Sequence, residues 1–152
     1  MNDPNGLIFY KGQYHLFYQH NPYATHWARM HWGHAASRDL LDWTDLPVAL
    51  APSEIYDLAT FGGCYSGSAW DAGDELILLY TGCVRRGEEE IQTQNIARSK
   101  DGLRFTKDEG NPVIVNPPPG GSMHFRDPKI WRQGEYFYAV LCTSMAGRGC
   151  VV

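Results

Sequence analysis

A recurrence near sixty residues constrains this chain more than any other feature. Tyr10-Lys11-Gly12-Gln13-Tyr14-His15-Leu16-Phe17-Tyr18, Ala72-Gly73-Asp74-Glu75-Leu76-Ile77-Leu78-Leu79-Tyr80 and Gln133-Gly134-Glu135-Tyr136-Phe137-Tyr138-Ala139-Val140 each join a glycine turn to a run of aliphatic and aromatic residues. Such a segment predicts a hairpin opening into a buried strand. The glycines stand at 12, 73 and 134, spaced 61 and 61 residues apart. Ser37-Arg38-Asp39 with Trp43 matches Ser99-Lys100-Asp101 with Phe105 at an offset of 62, each a turn after a strand with an aromatic to follow. A repeat of this length, filled with short strands, fits one blade of a β-propeller with generous loops. A two-sheet sandwich holds as many strands but does not require the repeat. The period fits into 152 residues roughly two and a half times, whereas propellers have about 4–8 blades. The expectation is an all-β chain, 1–152 being part of a propeller domain whose remaining blades lie outside it.

The repeat also brings chemistry together. Met1-Asn2-Asp3-Pro4-Asn5-Gly6 consists of ordinary turn formers, and alone it describes a turn as well as a site. An offset of 62 carries Asp3 onto Tyr65, and a second onto Asp127, which also precedes a proline. Equivalent positions in successive blades converge on the propeller axis, so the two aspartates are expected to face one cavity. Carboxylates placed there need a reason, because an unpaired buried charge is costly. Paired carboxylates suit glycosyl transfer, where an oxocarbenium-like transition state is attacked and stabilised. Two roles are open to Arg126, an ion pair with Asp127 or a donor to substrate hydroxyls, and the motif favours the second.

Several function classes fall away. The net charge is −4, and the one basic doublet, Arg85-Arg86, is followed by Glu88-Glu89-Glu90, so no positive face for nucleic acid is predicted. Those glutamates are expected in a solvated loop. Leu76-Ile77-Leu78-Leu79 is far too short to cross a bilayer, and no membrane partner is expected. Aromatic residues at 13% suit both a strand-rich core and a sugar platform, and do not separate the two. His26, His31 and His34 do not suggest a metal site, because strand residues three apart point to opposite faces. Their expected role is packing and hydrogen bonding. Cys64, Cys83, Cys142 and Cys150 lack metal-ligand spacing and are expected as buried free thiols in a reducing compartment, with a disulfide left open. Ser66 has no evident His–Asp partners for a serine nucleophile.

The motifs resemble, in order, those of family 32 glycoside hydrolases: Met1-Asn2-Asp3-Pro4-Asn5-Gly6, Phe17-Tyr18-Gln19-His20-Asn21-Pro22, Met30-His31-Trp32-Gly33-His34-Ala35, Tyr65-Ser66-Gly67-Ser68, Tyr80-Thr81-Gly82 and Phe125-Arg126-Asp127-Pro128. The resemblance spans essentially the whole chain. It implies a five-bladed propeller, usually followed by a β-sandwich, and retaining hydrolysis of β-fructofuranosides. It further implies Asp3 as nucleophile, Asp127 as transition-state stabiliser, and a fructose subsite lined by Asn2, Gln19, Trp27, Tyr65, Ser66 and Arg126. An aspartate of ordinary pKa, about 3.9, is ionised near neutrality, as a nucleophile must be. No cofactor or metal is implied, and the expected partner is a small sugar: sucrose, sucrose 6-phosphate or a fructan.

Tyr65 stands where the family commonly has Phe, and Ala28-Arg29 replaces a stretch that often contains Gly. The family's general acid/base is a Glu in a Glu-Cys motif downstream of Arg-Asp-Pro. No Glu-Cys pair occurs here, so the catalytic acid is expected outside 1–152. The absence of a basic-then-apolar leader and the bacterial-looking motif set point to a cytoplasmic enzyme. Two other readings are distinguishable. A non-catalytic fructoside-binding propeller would keep Trp27 and Tyr65 but dispense with Asp3. A related arabinosidase or xylosidase shares paired carboxylates but not Asn-Asp-Pro-Asn-Gly with Phe-Arg-Asp-Pro.

Overall fold

The computed structural model describes residues 1–152, and every regular element in it is a strand. The first sheet takes β1 (Asn2–Tyr10), β2 (Gln13–His20), β3 (His31–Ser37) and β4 (Trp43–Leu50) in sequential antiparallel order. A second repeats this with β5 (Gly63–Asp71), β6 (Leu76–Arg86), β7 (Glu89–Ser99) and the short β8 (Thr106–Lys107). The third holds β9 (Arg126–Gln133), β10 (Tyr136–Met145) and β11 (Arg148–Val151). Two blades are therefore complete and a third has three strands, slightly more than the expected two and a half.

The repeat seen in the sequence has a physical cause. Gly12, Gly73 and Gly134 each turn the first strand of a blade into the second, with φ of 81°, 93° and 62°. That left-handed conformation is free only for glycine. The serine–aspartate pairs build two copies of one turn. Asp39 Oδ1 accepts the amides of Leu41 and Asp42, and Asp101 Oδ1 those of Leu103 and Arg104. Ser37 and Ser99 each donate to their aspartate at 3.1 and 2.9 Å.

Blades one and two share one apolar core. Tyr10, Phe17, Trp32 and Leu50 meet Ala69, Leu76, Leu78 and Tyr80 there, with Phe105 packed edge-on against Phe17. The loop from β4 to β5 is fastened across this seam by Asp57. Its fully buried carboxylate accepts from Lys107 Nζ, the Tyr80 hydroxyl and the amides of Ser53 and Glu54. Blade three joins through the Ile130 amide, which donates to Ser68 Oγ at 3.0 Å, and an edge contact of Trp70 with Phe137.

All four cysteines are free, but only Cys64 and Cys83 are buried, so the expectation of four buried thiols holds for two. His34 stacks on Phe17 and shares a 2.9 Å hydrogen bond with His15, while His31 donates to the Arg29 carbonyl.

Candidate active site

β1, β5 and β9 are the edge strands of their sheets, and each begins with a register break. Asn2 pairs with Gln19 and Pro4 with Tyr18, leaving Asp3 as the extra residue of a bulge. Tyr65 pairs with Thr81 and Gly67 with Tyr80, which leaves Ser66 in that role. Arg126 pairs with Cys142 and Lys129 with Val140, so the third bulge holds Asp127 and Pro128. A bulge bends the strand and re-aims its side chain, which is how three polar residues leave the pleat together. Pro4 and Pro128 are tolerated because an edge strand has a side that donates to no neighbour.

This register corrects the uniform offset. Asp3 corresponds to Ser66 rather than Tyr65, and Tyr65 corresponds to Asn2 and Arg126. Turns and bulges of unequal length between blades shift the count by one residue. Gly67 makes the second bulge possible, because a Cβ there would lie 2.0 Å from the Leu79 carbonyl oxygen.

The eight residues singled out from sequence, Asn2, Asp3, Gln19, Trp27, Tyr65, Ser66, Arg126 and Asp127, line one open cleft of about 460 Å³. Glu90 and His124 complete it. Trp27 and Tyr65 meet edge to face, 5.7 Å between ring centres. Gln19 donates from Nε2 to the Cys64 carbonyl at 2.9 Å, and Trp32 Nε1 donates to the Tyr65 carbonyl at 2.9 Å. The loop carrying Trp27 is shaped by Asn21, which donates to the His26 carbonyl and accepts the Tyr23 amide. Arg29 there has φ of 44°, a left-handed conformation costing a non-glycine residue of order 1 kcal/mol.

Asp127 is held from blade two by residues that sequence reasoning left out of the site. Its amide donates to Thr81 Oγ1 at 3.2 Å, and Thr81 donates to Gln94 Oε1 at 2.7 Å. Gln94 Nε2 donates to the Phe125 carbonyl, and the Phe125 amide donates to Gln92 Oε1. Thr81 belonged to a motif; the alternation Gln92-x-Gln94 on a buried strand was the signal for the other two, since buried amides need partners. With this clamp Asp127 keeps φ of 60°, unusual for a residue with a side chain. Its carboxyl is pushed above the ordinary aspartate value by desolvation, opposed by Arg126 and reinforced by Asp3. Arg126 Nε lies 3.8 Å from Asp127 Oδ2, and its Nη1 donates to His124 Nδ1 at 3.1 Å. The pair is loose and half-exposed, so Arg126 retains donors toward the cleft.

The glutamate run is not uniformly solvated. Gly87 and Glu88 form the β6–β7 turn, whereas Glu90 lies on β7 and faces the cleft.

A propeller cleft with two aspartates on matching bulges and a guanidinium beside them defines a domain of the glycosidase class. Residues 1–152 match the family model described as "Glycosyl hydrolases family 32 N-terminal domain". The chain belongs to glycoside hydrolase family 32. It is 47% identical over 145 residues to a sucrose-6-phosphate hydrolase of Zymomonas mobilis, covering 93% of this chain and 27% of that enzyme. It is 48% identical over 146 residues to a raffinose invertase of Escherichia coli, covering 93% of this chain and 29% of that enzyme. Its fold matches a mutant Bombyx mori GH32 β-fructofuranosidase solved in complex with sucrose. That match has a TM-score of 0.88 and 45% identity, covering 99% of this chain and 31% of that one. The chain thus spans under a third of the length of these relatives.

Proposed function

We propose that this domain carries the nucleophile side of a retaining β-fructofuranosidase acting on sucrose, sucrose 6-phosphate or a fructan. The observation that carries the reading is the convergence of Asp3 and Asp127 on one cleft from matching bulges of two blades. Asp3 attacks the anomeric carbon of the fructosyl unit while the glycosidic bond breaks, leaving a fructosyl ester on its carboxylate. Water then cleaves that ester. Asp127 accepts hydrogen bonds from fructose hydroxyls and opposes the positive charge of the transition state, with Arg126 donating beside it. Trp27 and Tyr65 form the apolar wall, and Asn2, Gln19 and Ser66 bind hydroxyls. The proton for the departing oxygen comes from a glutamate outside 1–152. Relatives named for sucrose-6-phosphate hydrolysis and raffinose invertase support the substrate class.

The test is rapid quenching of the full-length enzyme during turnover, followed by peptide mass analysis. A hexosyl mass gain on the peptide containing Asp3 is expected; a gain on another carboxylate, or inverted product configuration, overturns the assignment.

A further inference from the structure

The cleft contains a third carboxylate that the motifs leave without a role. Glu90 Oε1 accepts from Cys83 Sγ at 3.3 Å and from Gln92 Nε2 at 2.7 Å. Desolvation works to raise the Glu90 carboxyl, but hydrogen bonds from Gln92 and Cys83, with His124 and Arg126 nearby, hold it below the usual value. Cys83 is buried, and burial pushes its thiol up to about 12, so it stays protonated and donating.

These two donors occupy one oxygen only. Oε2 makes no hydrogen bond or ion pair within the protein and is not sealed from solvent. An oriented carboxylate accepts hydrogen bonds and donates none, so its complement is a hydroxyl. The cleft also sets three carboxylates, Asp3, Asp127 and Glu90, against the single guanidinium of Arg126. His124 Nδ1 is already an acceptor from that guanidinium. A phosphorylated ligand would meet an excess of like charge, a repulsive element of the kind that creates specificity.

We propose that Glu90 is a specificity-determining residue, accepting hydroxyl hydrogen bonds from the sugar joined to the fructosyl unit and turning away a phosphorylated one. The proposal rests on the β-fructofuranosidase reading and narrows it to neutral substrates. The experiment compares kcat/KM for sucrose and sucrose 6-phosphate in the full-length enzyme and its Glu90→Gln variant. Wild type is expected to prefer sucrose. Glu90→Gln is expected to lower kcat/KM for sucrose and raise it for sucrose 6-phosphate, moving the ratio about tenfold or more, the size of one charge-assisted hydrogen bond. Product inhibition of wild type gives a second readout independent of any variant, with glucose inhibiting at lower concentration than glucose 6-phosphate. An active wild type that prefers sucrose 6-phosphate, or an unchanged ratio in Glu90→Gln, overturns the role of Glu90 alone. Inactivity of the wild type on every β-fructofuranoside overturns the functional reading and this inference together.

Discussion

Asp3 and Asp127 occupy matching bulges on the innermost strands of the first and third blades. Strand register, rather than distance along the chain, makes them partners. They interact electrostatically, since Asp3 contributes to raising the carboxyl of Asp127. Their separate replacement in the full-length enzyme follows from this.

Asp3→Asn is expected to lower kcat on sucrose by about three orders of magnitude or more, with the melting temperature unchanged. An amide cannot form the ester, while the exposed side chain contributes little packing. Steady-state kinetics beside thermal unfolding checks this; near-normal turnover removes Asp3 as nucleophile.

Asp127→Asn is expected to abolish turnover while raising the melting temperature. A carboxyl raised by folding binds protons more tightly in the native state, so its contribution to stability falls as pH rises from the ordinary aspartate value through the raised one. At neutral pH the ionised form works against folding, and the amide relieves that. Equal melting temperatures at pH 4 but a more stable variant at pH 7 is the outcome to look for. A variant less stable than wild type at pH 7 contradicts it.

Thr81→Val tests the clamp. The substitution keeps the volume but removes the acceptor for the Asp127 amide and the donor to buried Gln94 Oε1. A loss of about 1–3 kcal/mol in stability is expected. A fall in kcat with KM little changed would report a displaced Asp127. Unchanged kcat in a folded variant would show that the left-handed aspartate needs no support from blade two.

Lys107→Ala tests the fastening of the β4–β5 loop. Lys107 and Asp57 are almost wholly buried, and removing the lysine strands the carboxylate. Breaking a buried pair in this way costs about 3–5 kcal/mol. Urea unfolding of the full-length protein measures it, and a change below about 1 kcal/mol would show that the Tyr80 hydroxyl and the Ser53 and Glu54 amides suffice.

His34 sets an acid limit on the fold. Burial, with a smaller contribution from His15, depresses its imidazole to about 3 from an ordinary 6.5. The unfolded chain therefore binds the extra proton between these values, and stability is lost as pH falls from 6.5 toward 3, at up to about 1.4 kcal/mol per pH unit. Urea midpoints over pH 4–7 are expected to show a shallower slope in His34→Gln than in wild type; parallel slopes contradict this.

Much of the fold was legible because its signals are local. A glycine at a left-handed turn, a serine–aspartate turn and an apolar run each depend on a few neighbouring residues, and the same trio recurs in every blade that reaches it. The uniform offset still missed by one residue in blade two, because it counts chain length, whereas Ser66 matches Asp3 and Asp127 by its place in the strand register of its own sheet. Glu90 escaped for a related reason: three consecutive glutamates look alike in sequence, and only the hairpin at Gly87 and Glu88 sets which of them faces the cleft.

By itself the sequence determined that this chain is all-β, that it repeats near sixty residues, and that Asp3, Asp127 and Arg126 stand in glycosidase motifs. Tertiary structure alone decided that the three bulges align, that Thr81, Gln92 and Gln94 hold Asp127 from another blade, and that Cys83 and Gln92 orient Glu90 in the cleft. Turn chemistry acts over a few residues, whereas a side chain's facing and its hydrogen-bond partners depend on strand register between segments far apart in the chain.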